Sequence, residues 1–571
     1  MSKDFKKVLV KDDRLNVTDQ ISYAVHKGGQ NMSAAQFNAI TQSTSSCTWN
    51  IQVPSEQTMI DRRLICSAQI TLTISGVPAA GQRLINYGLT DALSAFPLHQ
   101  LASVMTATIN NNTVSINMRD VLPSILRMND KRQLARYNGM TPVMYDTYAR
   151  YQDGVGSTNN VLGGFENVAD NDLYNRGTWV LDSITGNSQG DGSATVKNVV
   201  CVFTVYEPVL LSPFIYADPA SNNQALYGIQ NLNFVFNFGD ASRVWRSCPF
   251  INNTGASVVK TVAFTAIQNS KLLFNFITPH PSDVMPARNV VPFYEMPRYI
   301  TQVTLSNAVN ATSDIITNSL QLNQIPDLLY IMVRKQMGTL GSSDADCWLP
   351  ITKLAIQFNN QAGILSNATP NDLWRYSTEN GCNQSYLEYA GYANQYDSST
   401  GNGHVIPTSG SHLVLAFGKD IQISEDFYSS GSLGNFNLQI NLTVKNNTGL
   451  AFTSGNNNQN YEIVLITQNS GVFCCERGTS STFTGILTKQ DVLDASEQEP
   501  YYHASVKRLV GGGFLDKLKS VAGNVLPLLP KLGKELLGNM DNKYAKAGAS
   551  VLGALGAGRS GGKGRLADRL M

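Results

Sequence analysis

Residues 232–238 read Leu-Asn-Phe-Val-Phe-Asn-Phe, an alternation that places Leu232 and the three phenylalanines on one face of an extended chain. The stretch Leu438-Gln-Ile-Asn-Leu-Thr-Val444 repeats this pattern with four apolar residues. The alternation recurs from about residue 47 to residue 470, and clusters of Gly, Asn, Asp and Ser separate the segments. The pattern predicts an all-β protein built from sandwiches or barrels, without βαβ units.

Continuous apolar runs predict a second kind of strand, buried on both faces. They are Leu328–Val333, Leu413–Phe417 and Ile463–Ile466. Helical signals are few outside the C-terminal region. We expect one short helix over Met118–Met128 and another over Pro370–Tyr376, the latter with Asn367 or Thr369 as its N-cap.

Several fragments occur twice in the same order, which predicts a duplicated sandwich. Ile109-Asn-Asn is echoed by Phe358-Asn-Asn, Asp120-Val-Leu by Asp372-Leu-Trp, Leu211-Ser-Pro-Phe214 by Ile423-Ser-Glu-Asp-Phe427, and the segment from Gly228 by that from Gly434. The offset falls from 252 residues at Asp120/Asp372 to 206 at Gly228/Gly434, so the first copy holds an extra segment of 46 residues. We assign it to the Gly-, Asn- and Asp-rich residues 153–195, expected to be a loop on an outer surface.

These observations divide the chain into five parts. They are an N-terminal arm (1–44), a first sandwich (45–270) with the 153–195 insertion, a proline-rich connector (271–300), a second sandwich (301–500) and a basic tail (501–571). The connector contains enough aromatic residues that we expect it to pack between the sandwiches.

Composition separates the body from the tail. Charged residues make up only 15% of the chain and the net charge is +1, but residues 501–571 hold twelve Lys and Arg against four Asp and Glu. A low-charge body suits surfaces that meet other copies of the chain. The basic tail favours an anionic partner such as nucleic acid or a membrane.

The sequence contains no recognisable catalytic, metal-binding or cofactor-binding motif. No zinc-binding or catalytic HExxH pattern, GxSxG turn or phosphate-binding glycine loop is present, so we predict no enzymatic activity, no cofactor, no catalytic residue and no metal site. The eight cysteines lack metal spacing and are expected to be buried, reduced thiols. The first ten residues lack the apolar core of a signal peptide, so we expect synthesis inside a host cell.

The ordered fragments resemble the double jelly-roll major capsid proteins of adenoviruses, tailless phages, virophages and polinton-like elements. The likeness is carried by Pro97-Leu-His-Gln100, Thr108-Ile-Asn-Asn111, Leu211-Ser-Pro-Phe214, the segment Tyr227–Asn233 and the connector Pro286–Tyr294. It implies a homotrimer with a pseudo-sixfold outline, located in an icosahedral virion and contacting neighbouring capsomers and minor capsid or penton proteins. The N-terminal arm would then lie on the inner face of the shell or bridge capsomers, or be a frayed terminus.

The tail begins with a candidate processing site and a candidate helix. Leu509-Val-Gly-Gly-Gly513 resembles the Leu-x-Gly-Gly-x sites cut by adenovirus-type cysteine proteases, so Leu509, Gly511, Gly512 and Gly513 are the candidate site, with cleavage after Gly512. A glycine hinge before a helix that docks on the capsid interior is the alternative. The residues that follow have the spacing of a basic amphipathic helix for membrane or genome binding: Phe514, Leu515, Lys517, Leu518, Lys519 and Val521.

Two other classes of function remain open at this point. One is a virion spike or a receptor- or glycan-binding β-sandwich protein, which would be expected to carry fibrous repeats or a stalk. The other is a hydrolase on a β scaffold, which would need a nucleophile or an acid–base cluster. The duplication, the low charge and the basic tail favour a self-assembling capsid subunit.

Overall fold

The computed structural model describes residues 6–11, 22–27, 31–55, 58–129, 141, 145–151, 181–214, 225–278, 288–306, 308, 310–397, 402–423, 429–446 and 458–485. Most of the described chain is β-strand. The described strands up to residue 278 are β1 (Lys6–Lys11), β2 (Ser22–Lys27), β3 (Asn31–Asn38), β4 (Thr41–Gln42), β5 (Ser46–Gln52), β6 (Met59–Ile60), β7 (Ile65–Gly76), β8 (Asp91–Leu93), β9 (Ala102–Ile109), β10 (Asn112–Ile116), β11 (Ser183–Gly186), β12 (Lys197–Pro208), β13 (Asn231–Phe238), β14 (Trp245–Ser247), β15 (Phe250–Ile251), β16 (Ser257–Val258) and β17 (Thr261–Thr278).

The remaining described strands form the second half of the molecule. They are β18 (Asn289–Glu295), β19 (Arg298–Ser306), β20 (Thr312–Ile316), β21 (Leu320–Gln324), β22 (Leu328–Lys335), β23 (Ile351–Phe358), β24 (Gln361–Ile364), β25 (Tyr392–Asp397), β26 (Asn402–Pro407), β27 (Leu413–Ala416), β28 (Leu433–Lys445), β29 (Asn458–Glu476) and β30 (Thr479–Thr484). The helices are α1 (Pro97–Leu101), α2 (Met118–Met128), α3 (Pro370–Glu379) and α4 (Tyr386–Ala390), with a 3-10 turn at Met337–Thr339. No helix in the described part of the chain has the length and hydrophobicity to cross a membrane.

Each half folds into two facing sheets with the same strand order. In the first unit the sheets run β12-β7-β17-β3 and β10-β9-β13-β5, and in the second they run β27-β22-β29-β19 and β24-β23-β28 with β20 and β21. Eight strands of each unit form the two facing sheets, with β20 and β21 counted as one strand and the short strands outside these sheets left out. Numbered in chain order, one sheet takes the sixth, third, eighth and first of them, and the other takes the fifth, fourth, seventh and second. This is the jelly-roll order, so the predicted all-β fold of two tandem jelly rolls is confirmed.

The two copies coincide residue by residue at the turn after β9 and β23. Asn110 and Asn359 both have a left-handed backbone, with φ of 54° and 51°. Asparagine tolerates this region better than other residues with a side chain. Each amide oxygen accepts a backbone N–H of the neighbouring strand, from Gln230 at 2.8 Å and from Asn437 at 3.0 Å. The predicted match of Ile109 with Phe358 therefore reflects one turn that is built twice.

Both predicted short helices are present and are also equivalent. The helix Met118–Met128 follows Asn117, and Pro370–Glu379 follows Thr369, which is the N-cap. Asp120 and Asp372 therefore lie at the same position, three residues after the cap. The second helix extends three residues beyond the predicted end at Tyr376.

The segments predicted as arm and connector contain sheet strands. Asn31–Asn38, within the predicted arm, pairs with β17 because β17 runs on to Thr278, into the predicted connector. Asn289–Glu295 pairs with β29 on one side only, an edge position that tolerates Pro292 without a lost hydrogen bond. Residues 153–180 of the predicted insertion lie outside the described residues, and Ser183–Gly186 forms the edge strand β11.

All eight cysteines are buried and none forms a disulfide, which confirms the prediction of reduced thiols. Burial raises the pKa of the Cys475 thiol to about 12, so it is protonated at neutral pH.

Candidate functional site: the interface between the two units

The two jelly rolls share a continuous apolar interface. Leu329, Ile331 and Val333 of β22 point into the core of the second unit, whereas the alternate residues Leu328, Tyr330 and Met332 join the core of the first unit. Strands β27 and β29 divide their side chains in the same way. The predicted doubly buried strands are thus confirmed, and they are buried on both faces because this sheet lies between two cores.

Helix α2 supplies the first unit's side of this interface. Its residues Val121, Leu122, Ile125 and Leu126 are buried in the core cluster that also contains Tyr330 and Val464. Full burial of an aliphatic side chain contributes about 1.5–3 kcal/mol, so a helix face of this size holds the two units firmly together.

A buried ion-pair network crosses the interface beside this apolar contact. The Arg298 guanidinium donates to the Asp120 carboxylate at 2.8 Å, and Arg334 forms a second ion pair with the same carboxylate. Arg334 also donates to Glu462 at 3.1 Å. Asp120 belongs to the first unit and its partners to the second, so the network fixes the position of α2 on the neighbouring sheet.

A second buried cluster lies around Arg127, at the C-terminal end of α2. Its guanidinium lies 3.5 Å from carboxylate oxygens of both Asp346 and Glu388, and it stacks 4.7 Å from the centre of the Trp348 ring. Burial, followed by the neighbouring Asp146 carboxylate, raises the pKa of Asp346. The arginine neutralises carboxylates that would otherwise be costly to bury.

One trio of side chains at the interface contains the residue types of a catalytic site. His412 Nε2 lies 2.9 Å from Ser124 Oγ, and His412 Nδ1 lies 3.6 Å from Cys382 Sγ. Burial lowers the pKa of His412 to about 3 and raises the pKa of Cys382 to about 12. The Cys382 thiol is therefore protonated at neutral pH, and the buried His412 imidazole is too weak a base to take its proton. The trio links the two units structurally.

Leu509, Gly511, Gly512, Gly513 and the helix residues from Phe514 to Val521 lie outside the described residues. Within the described part of the chain, no three His, Cys, Asp or Glu residues are arranged to hold a metal ion.

Sequence reasoning missed the charged contacts of the interface. The available signal was Arg334, which with Lys335 follows six apolar residues of β22. Every residue of this strand is buried. A charge at such a position must be paired. Its partner Asp120 lies 214 residues away in the chain, too far for a local pattern to connect them.

Comparisons with known proteins match both units to domains of viral major capsid proteins. Residues 3–277 match the family model for the first domain of the Sputnik virophage major capsid protein, and residues 296–471 match that for the V20 C-terminal domain of major capsid proteins. The putative capsid protein V20 of Sputnik virophage is 27% identical, with 97% of this chain and 94% of that protein covered.

Solved structures agree with the sequence matches. The Sputnik virophage structure determined by cryo-EM has a TM-score of 0.74 at 26% identity, covering 88% of this chain and 98% of that one. The crystal structure of the mavirus major capsid protein has a TM-score of 0.66 at 13% identity, covering 86% and 99%, which supports the fold alone.

The fold and the interface define a structural protein of the double jelly-roll class. Because both units match family models of these proteins, the chain belongs to the family of double jelly-roll viral major capsid proteins. The predicted resemblance is confirmed. The chain is a non-enzymatic capsid component of the virion.

Proposed function

We propose that three copies of this chain form a capsomer with a pseudo-sixfold outline, and that such capsomers tile an icosahedral shell. The observation that carries the proposal is an asymmetry between the two units. In the second unit, the outer face of the sheet β27-β22-β29 is buried against the first unit. In the first unit, the equivalent face of β12-β7-β17 is half-exposed or exposed over most of its length, with Ser67 buried at one end.

The exposed face of the first unit has the character of a contact surface. Its outward residues on β7 and β17 are mostly uncharged and rich in hydroxyl groups: Gln69, Thr71, Thr73, Thr261, Ala263 and Thr265. Lys271 of β17, opposite Ser67, is the charged exception. A head-to-tail contact between this face and a second copy closes into a ring when the rotation between copies is one third of a turn. Three chains with two similar units each then give six units around the axis.

The experiment is the measurement of molar mass and shape on the purified full chain. Light scattering is expected to give three times the chain mass of 62.1 kDa, and electron microscopy to show hexagonal outlines or shells. Persistent monomers at micromolar concentration contradict the proposal.

The basic tail is proposed to act inside the shell. Residues 501–571 would bind the genome or a membrane through the cationic helix from Phe514 to Val521, or be released after Gly512 by a viral cysteine protease. Mass spectrometry of purified particles separates the two outcomes. A chain that ends at Gly512 supports release, whereas an intact C-terminus at Met571 rules it out.

A shell of this kind requires contacts between the capsomer and other components of the particle. Neighbouring capsomers and minor capsid or penton proteins would contact the sides of the trimer. Cross-linking of intact particles followed by peptide mapping tests this, and the absence of links to any second viral protein counts against it.

A further inference from the structure

An amine, a carboxamide and a carboxylate meet at the C-terminal end of helix α3. Asn380 is the C-cap of this helix, and Lys419 and Asp420 lie in the turn that follows β27. The Lys419 ammonium donates to Asn380 Oδ1 at 3.3 Å, and Asn380 Nδ2 donates to Asp420 Oδ2 at 2.5 Å. The second oxygen of the Asp420 carboxylate lies 4.0 Å from Lys419 Nζ. This carboxylate therefore contacts the amide nitrogen through one oxygen and faces the amine with the other.

The amide is held in one orientation inside the second unit. Asn380 and Asp420 are only 3% and 8% exposed. Asn380 Nδ2 also donates to the Val414 carbonyl at 3.0 Å, and Ala416 donates its backbone N–H to Asp420 Oδ2 at 2.8 Å. Because both amide hydrogens are bonded on the inner side, the carbonyl oxygen faces the amine of Lys419. Fixed positions of this kind favour a reaction between neighbouring groups.

The amine lies at the edge of this buried pair, where it can lose a proton to solvent. The Lys419 side chain is 29% exposed, and its ammonium forms an ion pair with Glu379 at 3.1 Å. The ion pair keeps the amine beside the amide but favours its protonated form. Since only the unprotonated amine is a nucleophile, a reaction at this site is slow at neutral pH and faster as the pH rises.

We propose that Lys419 and Asn380 become joined by an isopeptide bond within the folded chain. The neutral Lys419 amine attacks Asn380 Cγ, and the Asp420 carboxylate takes a proton from Nζ and passes it to the amide nitrogen. The bond between Cγ and Nδ2 breaks, ammonia leaves, and a secondary amide between Nζ and Cγ remains. The step needs no oxidant, cofactor or second protein, because one amide is exchanged for another.

The equivalent place in the first unit lacks the reacting groups. Asn129 is the C-cap of α2 as Asn380 is that of α3, but its amide donates to the Ile125 carbonyl at 2.6 Å. The residues that follow β12, numbered 209–212, include neither a lysine nor a carboxylic acid. The chemistry is therefore confined to the second unit, and Asn129 provides an internal control in the same sample.

The bond closes the chain from Asn380 to Lys419 into a covalent ring and fixes the end of α3 to the turn after β27. A covalent ring stabilises a fold chiefly by restricting the unfolded chain. None of the eight cysteines forms a disulfide. The isopeptide bond thus gives the subunit a covalent tie that reducing conditions do not break.

The test is mass spectrometry of the purified full chain after incubation at neutral and at mildly alkaline pH. Bond formation lowers the mass by one ammonia and blocks trypsin after Lys419, so the digest contains one peptide of residues 376–445. Lys419→Arg is the matched control, because it keeps the positive charge at a partly exposed position but has no amine to react. Asp420→Asn, checked for folding by circular dichroism, is expected to slow bond formation about 100-fold.

The proposal predicts that the 376–445 peptide, lighter by one ammonia, accumulates in the unsubstituted chain, faster at alkaline pH, and is absent from Lys419→Arg. Loss of ammonia with normal cleavage after Lys419 overturns the proposal, because it indicates a succinimide at Asn380-Gly381. A chain that keeps its full mass at both pH values also overturns it. A folded Asp420→Asn variant that reacts at the unsubstituted rate overturns the proton transfer through Asp420.

Discussion

Asp120 and Asp372 occupy the same position of two equivalent helices but make different contacts. Asp372 closes a capping box, in which its carboxylate accepts the Thr369 N–H at 3.1 Å and its own N–H donates to Thr369 Oγ1 at 3.3 Å. Asp120 makes no such box and instead forms ion pairs with Arg298 and Arg334 across the interface. One copy of the duplicated residue caps its helix, and the other holds the two units together.

Substitution of these two residues should therefore have unequal effects. Asp120→Asn leaves Arg334 with a single carboxylate partner in a buried site and is expected to cost about 3 kcal/mol of unfolding free energy. Asp372→Asn keeps an acceptor for the cap on the surface and should cost clearly less. Denaturant unfolding of the two variants, side by side, measures the difference; equal losses would show that the interface network contributes nothing beyond helix capping.

The buried His412 predicts acid sensitivity. Burial, and then the charge of Arg127, lower the pKa of His412 from 6.5 to about 3. Between these pH values the histidine is protonated in the unfolded chain and neutral in the folded chain. Its contribution to stability is present above pH 6.5 and is lost as the pH falls toward 3, by up to about 1.4 kcal/mol per pH unit. His412→Gln, which does not titrate, should give a flatter curve of unfolding free energy over this interval. Curves of the same slope for both proteins would rule out this role.

The duplicated asparagine turns predict a graded response. Asn110→Gly keeps the left-handed backbone but loses the hydrogen bond to Gln230, at a cost of about 1 kcal/mol. Asn110→Ala adds backbone strain of about 1–2 kcal/mol. The same order is expected at Asn359, and thermal unfolding of the four variants tests it. An alanine variant as stable as its glycine counterpart would contradict the assignment of strain.

Local patterns in the sequence were sufficient to predict the β-rich fold, two of the four described helices and the duplication. Alternation of the kind found at residues 232–238 depends only on neighbours, and the turn at Asn110 recurs at Asn359 because the same backbone is needed twice. The doubly buried strands were also predictable, since a continuous apolar run has no face left for solvent.

The interface could not be predicted in this way. Arg334 meets Asp120, and His412 meets Ser124, only because the second sheet packs on helix α2. No periodic pattern in the sequence predicts such a contact, because the contact depends on how the two folded units pack against each other. The edge strand Asn31–Asn38 was missed for a related reason: its pairing with β17 is decided by a partner more than 200 residues away.

The most direct test of the account is a cryo-EM map of the assembled particle at side-chain resolution. The account predicts three copies of the chain, and therefore six similar units, around each capsomer axis. A capsomer with any other number of copies around its axis would contradict it.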